Sequence, residues 1–226
     1  MVPLRSKFLG IVMVDYIAFC AAVCSASISI PQFILVVRTK VTHGLSLTMW
    51  VLSLGTGIGW LCHGFKLGVI NMIWPNFWIL FVVVTILYFL RRNGRYRSVV
   101  KLLPGIALAA LLVGLDNFVG SAAFGAAVIV PQVYGMMRQG LSLMRSPLVT
   151  GVSTGAWVLM VINHALWLTW AIMSQEIGTM ISGAVCVGPA IFVLTWCILR
   201  ARGVGPVGSG KGAETDAEPE TSTVEA

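Results

Sequence analysis

Pro31-Gln32-Phe-Ile-Leu-Val-Val-Arg38 returns 100 residues later as Pro131-Gln132-Val-Tyr-Gly-Met-Met-Arg138. Each Pro-Gln closes an apolar run, and an arginine follows at the same distance. Gly44-Leu-Ser-Leu-Thr-Met-Trp50 likewise reads against Gly151-Val-Ser-Thr-Gly-Ala-Trp157, and Trp60 against Trp167, now 107 residues apart. Seven extra residues in the second copy's loop account for the change of offset. A long repeat in an apolar chain points to a bilayer protein made of two like halves.

Composition excludes a soluble domain. Hydrophobic residues make up 58% of the chain and charged residues 10%, where a soluble domain carries roughly a quarter charged. Mean hydropathy is +0.91. Five of the eight acids lie in the tail beyond Gly203, leaving Asp15, Asp116 and Glu176. The net charge of +7 therefore reports membrane orientation rather than affinity for nucleic acid. Cys20, Cys24, Cys62, Cys186 and Cys197 all fall in apolar runs and read as small buried hydrophobes, with no zinc spacing and no implied disulfide. The basic start, Met1 to Lys7, leads into an apolar run too long for a signal peptide, so the first helix is expected to be kept.

A span needs about 20 mostly apolar residues. Seven are expected, near 11–37, 46–65, 69–90, 99–115, 118–137, one opened by Ser146-Pro147 and ending near 173, and 177–199. Pro31 should kink the first. Gly55 and Gly59 let the second approach a neighbour closely. Asp116-Asn117 is read as a tight turn. The fourth span carries no motif and reads as a linker that restores parallel orientation to two three-helix repeats. The tail, 203–226, lacks apolar periodicity and is expected to be disordered. Twelve of the fifteen Lys and Arg follow spans one, three, five and seven; Arg5, Lys7 and Lys66 lie on the other side. The positive-inside rule then places the amino terminus outside and the carboxyl terminus in the cytoplasm.

No nucleophile elbow, phosphate loop, metal-binding helix motif or other catalytic constellation occurs, so no enzyme, metal or cofactor is expected. His43 sits beside basic residues in a loop and reads as solvated. His63 and His164 lie in spans, where two readings stay open: a satisfied helix contact, or a cavity or proton-linked role. Trp60 and His63 share one helix face, as do Asn163, His164, Trp167 and Trp157. An aromatic wall beside polar groups suits a sugar or another small polar solute. Asn76 is a candidate for ligand contact or for an interhelical hydrogen bond. Trp50, Trp74, Trp78, Trp170 and Trp196 read as interfacial anchors. Asp15 marks either the outer headgroup level or an outer gate or proton path.

The paired Pro-Gln dipeptides, the Gly-x-Ser-x-x-x-Trp segments, Trp60 and Pro75-Asn76 together resemble the PQ-loop superfamily. That superfamily includes SWEET sugar transporters and lysosomal amino-acid exporters. The resemblance covers about Phe8 to Arg202. It implies an all-α membrane fold of seven helices in a 3+1+3 arrangement. The bundles would be 8–92 and 118–202, the loop and linker 93–117, and the tail 203–226. It also implies alternating access, with Pro31 and Pro131 as flexing points braced by Gln32 and Gln132, and a cavity lined by Asn76 and flanked by Trp60 and Trp167. The sequence departs from the pattern at Ser182-Gly183, which replaces the second Pro-Asn. Leu47 and Thr154 stand where proline often follows the serine. The acid of proton-coupled exporters is also missing near Pro-Gln, although His63 or His164 could titrate instead.

The favoured function is a facilitative carrier of a small polar solute, a mono- or disaccharide first. The alternatives are an amino-acid or other metabolite carrier, with or without proton coupling, and a non-transporting receptor or structural protein of the same fold. Short loops suggest a bacterial cytoplasmic membrane. The lipid bilayer is the expected surrounding. Two halves in one chain suffice for a monomer, and a homo-oligomer is equally compatible.

Overall fold

The computed structural model describes residues 4–42, 45–145 and 153–205, and all of the regular structure there is helical. The helices are α1 (Leu4–Thr39), α2 (Leu47–Leu67), α3 (Ile70–Arg92), α4 (Leu103–Gly114), α5 (Ser121–Arg145), α6 (Thr154–Ser174) and α7 (Ile177–Ala201). A 3-10 turn, Val99–Leu102, leads into α4, and a π turn, Leu115–Val119, follows it.

Capping chemistry fixes α2 and α6 in the same way. Ser46 accepts the Met49 N–H at 3.4 Å, and Ser153 accepts that of Ala156 at 3.3 Å. Each helix runs 21 residues and ends in a left-handed residue, Gly68 (φ +67) or Gln175 (φ +55). Both limits of α6 lie 107 residues beyond those of α2. The chain is thus in the register that the Trp60–Trp167 offset led one to expect.

Other boundaries differ from the sequence reading. The chain does not turn at Asp116-Asn117. It stays helical through a widened π turn and reverses at Gly120, whose φ of +124 L side chains rarely adopt. The fifth helix therefore begins at Ser121 rather than Phe118, and continues to Arg145 rather than Met137. The first helix runs unbroken through Pro31, although proline withholds a donor from the preceding turn. His43, Gly44, Ser146-Pro147, Gly151 and the tail beyond residue 205 lie outside the described residues.

Helix α3 packs against both α1 and α2, and α7 against both α5 and α6. The two groups meet through α1 with α6, while α4 lies on α2. Glycine permits the closest crossings. A Cβ on Gly55 would sit 2.5 Å from the Gly105 carbonyl of α4, and one on Gly178 the same distance from the Ser121 carbonyl of α5.

Apolar packing divides by depth. Near the ends of α1 and α3, one core gathers Val36, Val51, Val82, Ile86 and Leu90, with every helical member from α1, α2, α3 and the turn after α3. A matching core around Met136, Leu143, Ala190 and Val193 draws only on α5, α6 and α7. At the amino-terminal end the groups share cores. Ala18, Met72, Trp170 and Ala171 join α1, α3 and α6, with Trp60 and Met180 beside them. Leu112, Phe124 and Val128 join α4 to α5 beneath Trp60.

Among the described residues, five helical stretches are long and apolar enough to cross a bilayer: 12–39, 70–92, 99–119, 154–174 and 177–201. The chain is a multi-pass membrane protein. Helices α2 and α5 are comparably long but lack so apolar a stretch. They carry the glycines and polar side chains of the interior contacts.

The two left-handed caps give a test. A Cβ at Gly68 meets nothing within 4 Å, so only backbone strain opposes it. Gly68→Ala should cost about 1 kcal/mol, whereas Gln175→Gly should gain a similar amount. Thermal unfolding of the two variants in one detergent checks the opposite signs.

Candidate functional site

Polar side chains meet at mid-depth between α1 and α6. The Trp167 indole donates to Ser25 Oγ at 3.0 Å. Asn163 Oδ1 lies 2.6 Å from the same hydroxyl, which is also 2.9 Å from the Ala21 carbonyl. One hydroxyl proton can serve only one of these two acceptors. The Cys24 thiol reaches the Leu159 carbonyl at 3.3 Å, one turn away. On α3, the Asn76 amide donates to Met72 O of its own helix at 2.7 Å. Trp78 donates to Ser29 Oγ at 2.9 Å and ties α3 to α1.

The sequence candidates fall into separate places. Trp60 and Trp167 both pack on the shared amino-terminal core, and Asn163 joins Trp167 through Ser25. His164 is half-buried on α6 and makes no hydrogen bond to another described residue. Gln132 Oε1 accepts from Ser182 Oγ at 3.4 Å and Cys186 Sγ at 3.3 Å, linking the Pro131 turn to α7. Gln32 is half-buried beside an exposed Pro31 and has no such link among the described residues. Asp15 is exposed, and its carbonyl accepts from Asn71 at 3.4 Å. The interfacial reading of the tryptophans needs correcting. Trp170 is buried, edge-on to Trp167 at 5.6 Å, while Trp50, Trp78 and Trp196 pack against apolar cores.

His63 belongs to a second site, which sequence reasoning missed. It is fully buried on α2 and stacked on Phe124 of α5 at 4.4 Å. Its Nδ1 lies 2.9 Å from Asp116 Oδ2, presented by the π turn. Lys66, one turn further along α2, pairs with Asp116 Oδ1 at 2.9 Å and also with the Asp116 carbonyl. On the other side His63 Nε2 faces Glu176 Oε2 at 3.5 Å, without hydrogen-bond geometry.

Glu176 is the N-cap of α7. It accepts the Gly178 and Thr179 N–H groups at 2.9 and 2.5 Å, and the Ser121 hydroxyl as well. Burial alone would push its carboxyl up. The facing His63 ring and hydrogen bonds from Ser121 and Thr179 outweigh burial and hold it well below the usual carboxylate range. The available signal was scarcity: Asp116 and Glu176 are the only acids between Asp15 and the tail, and Lys66 is a rare cation at their end of the helices.

The sign of the Glu176 contribution follows. A depressed carboxyl stabilises the fold above its unfolded value, near 4.5, and that stability is lost as pH falls further. Glu176→Gln should flatten the acid limb of thermal stability below about pH 5. Asp116→Ala, which strands His63 and Lys66, should cost about 3 kcal/mol. Unfolding curves taken across acid pH read both effects.

Among the described residues no group of three His, Cys, Asp or Glu side chains is placed to hold a metal ion. No curated protein sequence matches the chain. Residues 13–65, covering most of α1 and nearly all of α2, match the PQ loop repeat family model. The matched stretch contains the first Pro-Gln dipeptide, Pro31-Gln32, so this part of the chain is similar to a PQ loop repeat.

Proposed function

We propose that the chain is a facilitative carrier of a small polar solute, with a sugar as the favoured class. It works by alternating access of two parallel three-helix bundles, 8–92 and 118–202, joined by the linker 93–117. The observation that carries this reading is the division of the apolar cores. At the carboxyl-terminal end of α1, α3, α5 and α7 each group has its own core, while at the opposite end the groups share theirs. Two bodies joined at one end suit a carrier that faces one side at a time. The common limits of α2 and α6 support the repeat. The side chain of Met49 on α2 reaches Gly135 of α5 on the separated side, a flexible contact that a rocking motion can break.

In this reading the solute lies between α1, α3 and α6. Asn76, Asn163 and Ser25 supply hydrogen bonds, and Trp60 and Trp167 supply flat apolar walls. His164 borders the same face of α6. Pro31 and Pro131 are the flexing points, the second braced by Gln132. The bias of Lys and Arg toward the separated end makes that end cytoplasmic and the shared end external. Gly183, which stands where a second asparagine would complete the pattern, makes the cavity asymmetric.

Counterflow in proteoliposomes tests the proposal, with hexoses, disaccharides and neutral amino acids as preloaded solutes. Saturable sugar exchange should appear. Asn76→Ala should reduce it about five- to thirtyfold, the loss of one or two ligand hydrogen bonds at about 1 kcal/mol each. Exchange confined to amino acids would replace the solute class. No exchange of any solute by folded protein would favour a receptor.

A further inference from the structure

We propose that His63, held between Asp116 and Glu176, is a proton-binding site: a proton on Nε2 ties α2 to the cap of α7 and keeps the shared end of the bundle shut. The proposal deepens the carrier reading and rests on it, because the tie matters only if the two groups move apart.

Asp116 already binds Lys66 and faces His63 Nδ1 at 2.9 Å. An ionised carboxylate only accepts, so Nδ1 carries a hydrogen. A neutral ring would then turn the bare lone pair of Nε2 toward Glu176 Oε2, 3.5 Å away. Two acceptors would face each other in a buried place, and Nε2 is indeed without a hydrogen-bond partner. A proton on Nε2 converts that clash into a charge-assisted contact.

The charge sum agrees. Lys66, Asp116 and Glu176 carry one net negative charge, and one proton cancels it, which a low-dielectric site favours. No other charged group faces the ring among the described residues. The α5 helix offers the Phe124 ring and the Ser121 hydroxyl, and α3 brings the apolar Met72 against neighbouring Gly64. Asp116 and His63 stay together through Lys66 and the α2–α4 contact, whereas Glu176 belongs to the other helix group. Opening the shared end therefore parts Nε2 from Glu176. A proton held only in the shut arrangement makes that arrangement gain as pH falls.

The full-length chain in lipid nanodiscs, labelled with 15N-histidine, reads the site directly. The His63 resonances are those lost in His63→Gln. Near neutral pH both ring nitrogens should be protonated, and Glu176→Gln should strip the proton from Nε2 alone. A ring that stays neutral from about pH 8 to pH 5, or one indifferent to Glu176→Gln, overturns the proposal.

Spin-labelled unnatural amino acids at the exposed positions Phe65 and Met173 read the shut end, with the native cysteines untouched. The short distance should dominate at low pH and yield to a longer one as pH rises. A distribution indifferent to pH sinks the latch. Failure of solute exchange with both results intact would remove the carrier reading and leave the proton site standing.

Discussion

A carboxylate has no place in a hydrocarbon layer unless protein supplies what water would have supplied. This chain buries two, Asp116 and Glu176, at one end of its helices, and much of the architecture follows from satisfying them. Asp116 reaches His63 because the fourth helix widens into a π turn rather than ending. Lys66 can pair with it because it lies three residues from His63 on α2, on the same face. Glu176 is satisfied chiefly by backbone, as the cap of α7, and by Ser121 of α5. Three helices and a turn are thereby tied by a few side chains whose separation would strand a charge.

Such a tie works only if the backbones come close enough. In lipid, apolar side chains gain little by leaving the bilayer for each other, so close packing must hold helices together. Gly55 and Gly105 seat α4 on α2, and Gly125 and Gly178 seat α7 on α5. The first crossing positions the helix that carries Asp116. The second positions the helix that Glu176 caps. A side chain at either would push acid and histidine apart. The glycines therefore set the spacing on which the ionic site depends.

The frame was legible in the residues because its causes are local. Serine caps, left-handed ends and apolar runs are properties of short segments, and α2, α3 and α7 begin and end within two residues of where those signals put them. The 107-residue register was readable because Trp60 and Trp167 survive in both copies. What was not legible was long-range. Nothing near His63 announces Asp116, 53 residues away, and Asp116-Asn117 looks like a turn because both residues favour turns. The bond that Asp116 makes elsewhere outweighs that preference, and Gly120 takes the reversal instead. The tryptophans misled for a related reason. Amphipathic rings suit the interface, but Trp170 and Trp78 find partners inside, which composition cannot distinguish. Asn163 and Trp167 were visible as one helix face, while their common partner Ser25 lies 138 residues from Asn163.

The two halves share a frame but not its chemistry. At the 107-residue offset His63 corresponds to Trp170, and Val69 corresponds to Glu176. Both members of the first pair are buried, yet one enters an ionic site and the other an apolar core. Both members of the second cap a helix, but only Glu176 does so with its side chain. A symmetric pair of such sites would put two negative clusters at the seam between the bundles, each needing its own cation, and Lys66 is the only cation there among the described residues. One half therefore provides the histidine and the lysine and the other provides the glutamate. The charge partners therefore come from different helix groups, His63 and Lys66 from α2 and Glu176 from the cap of α7.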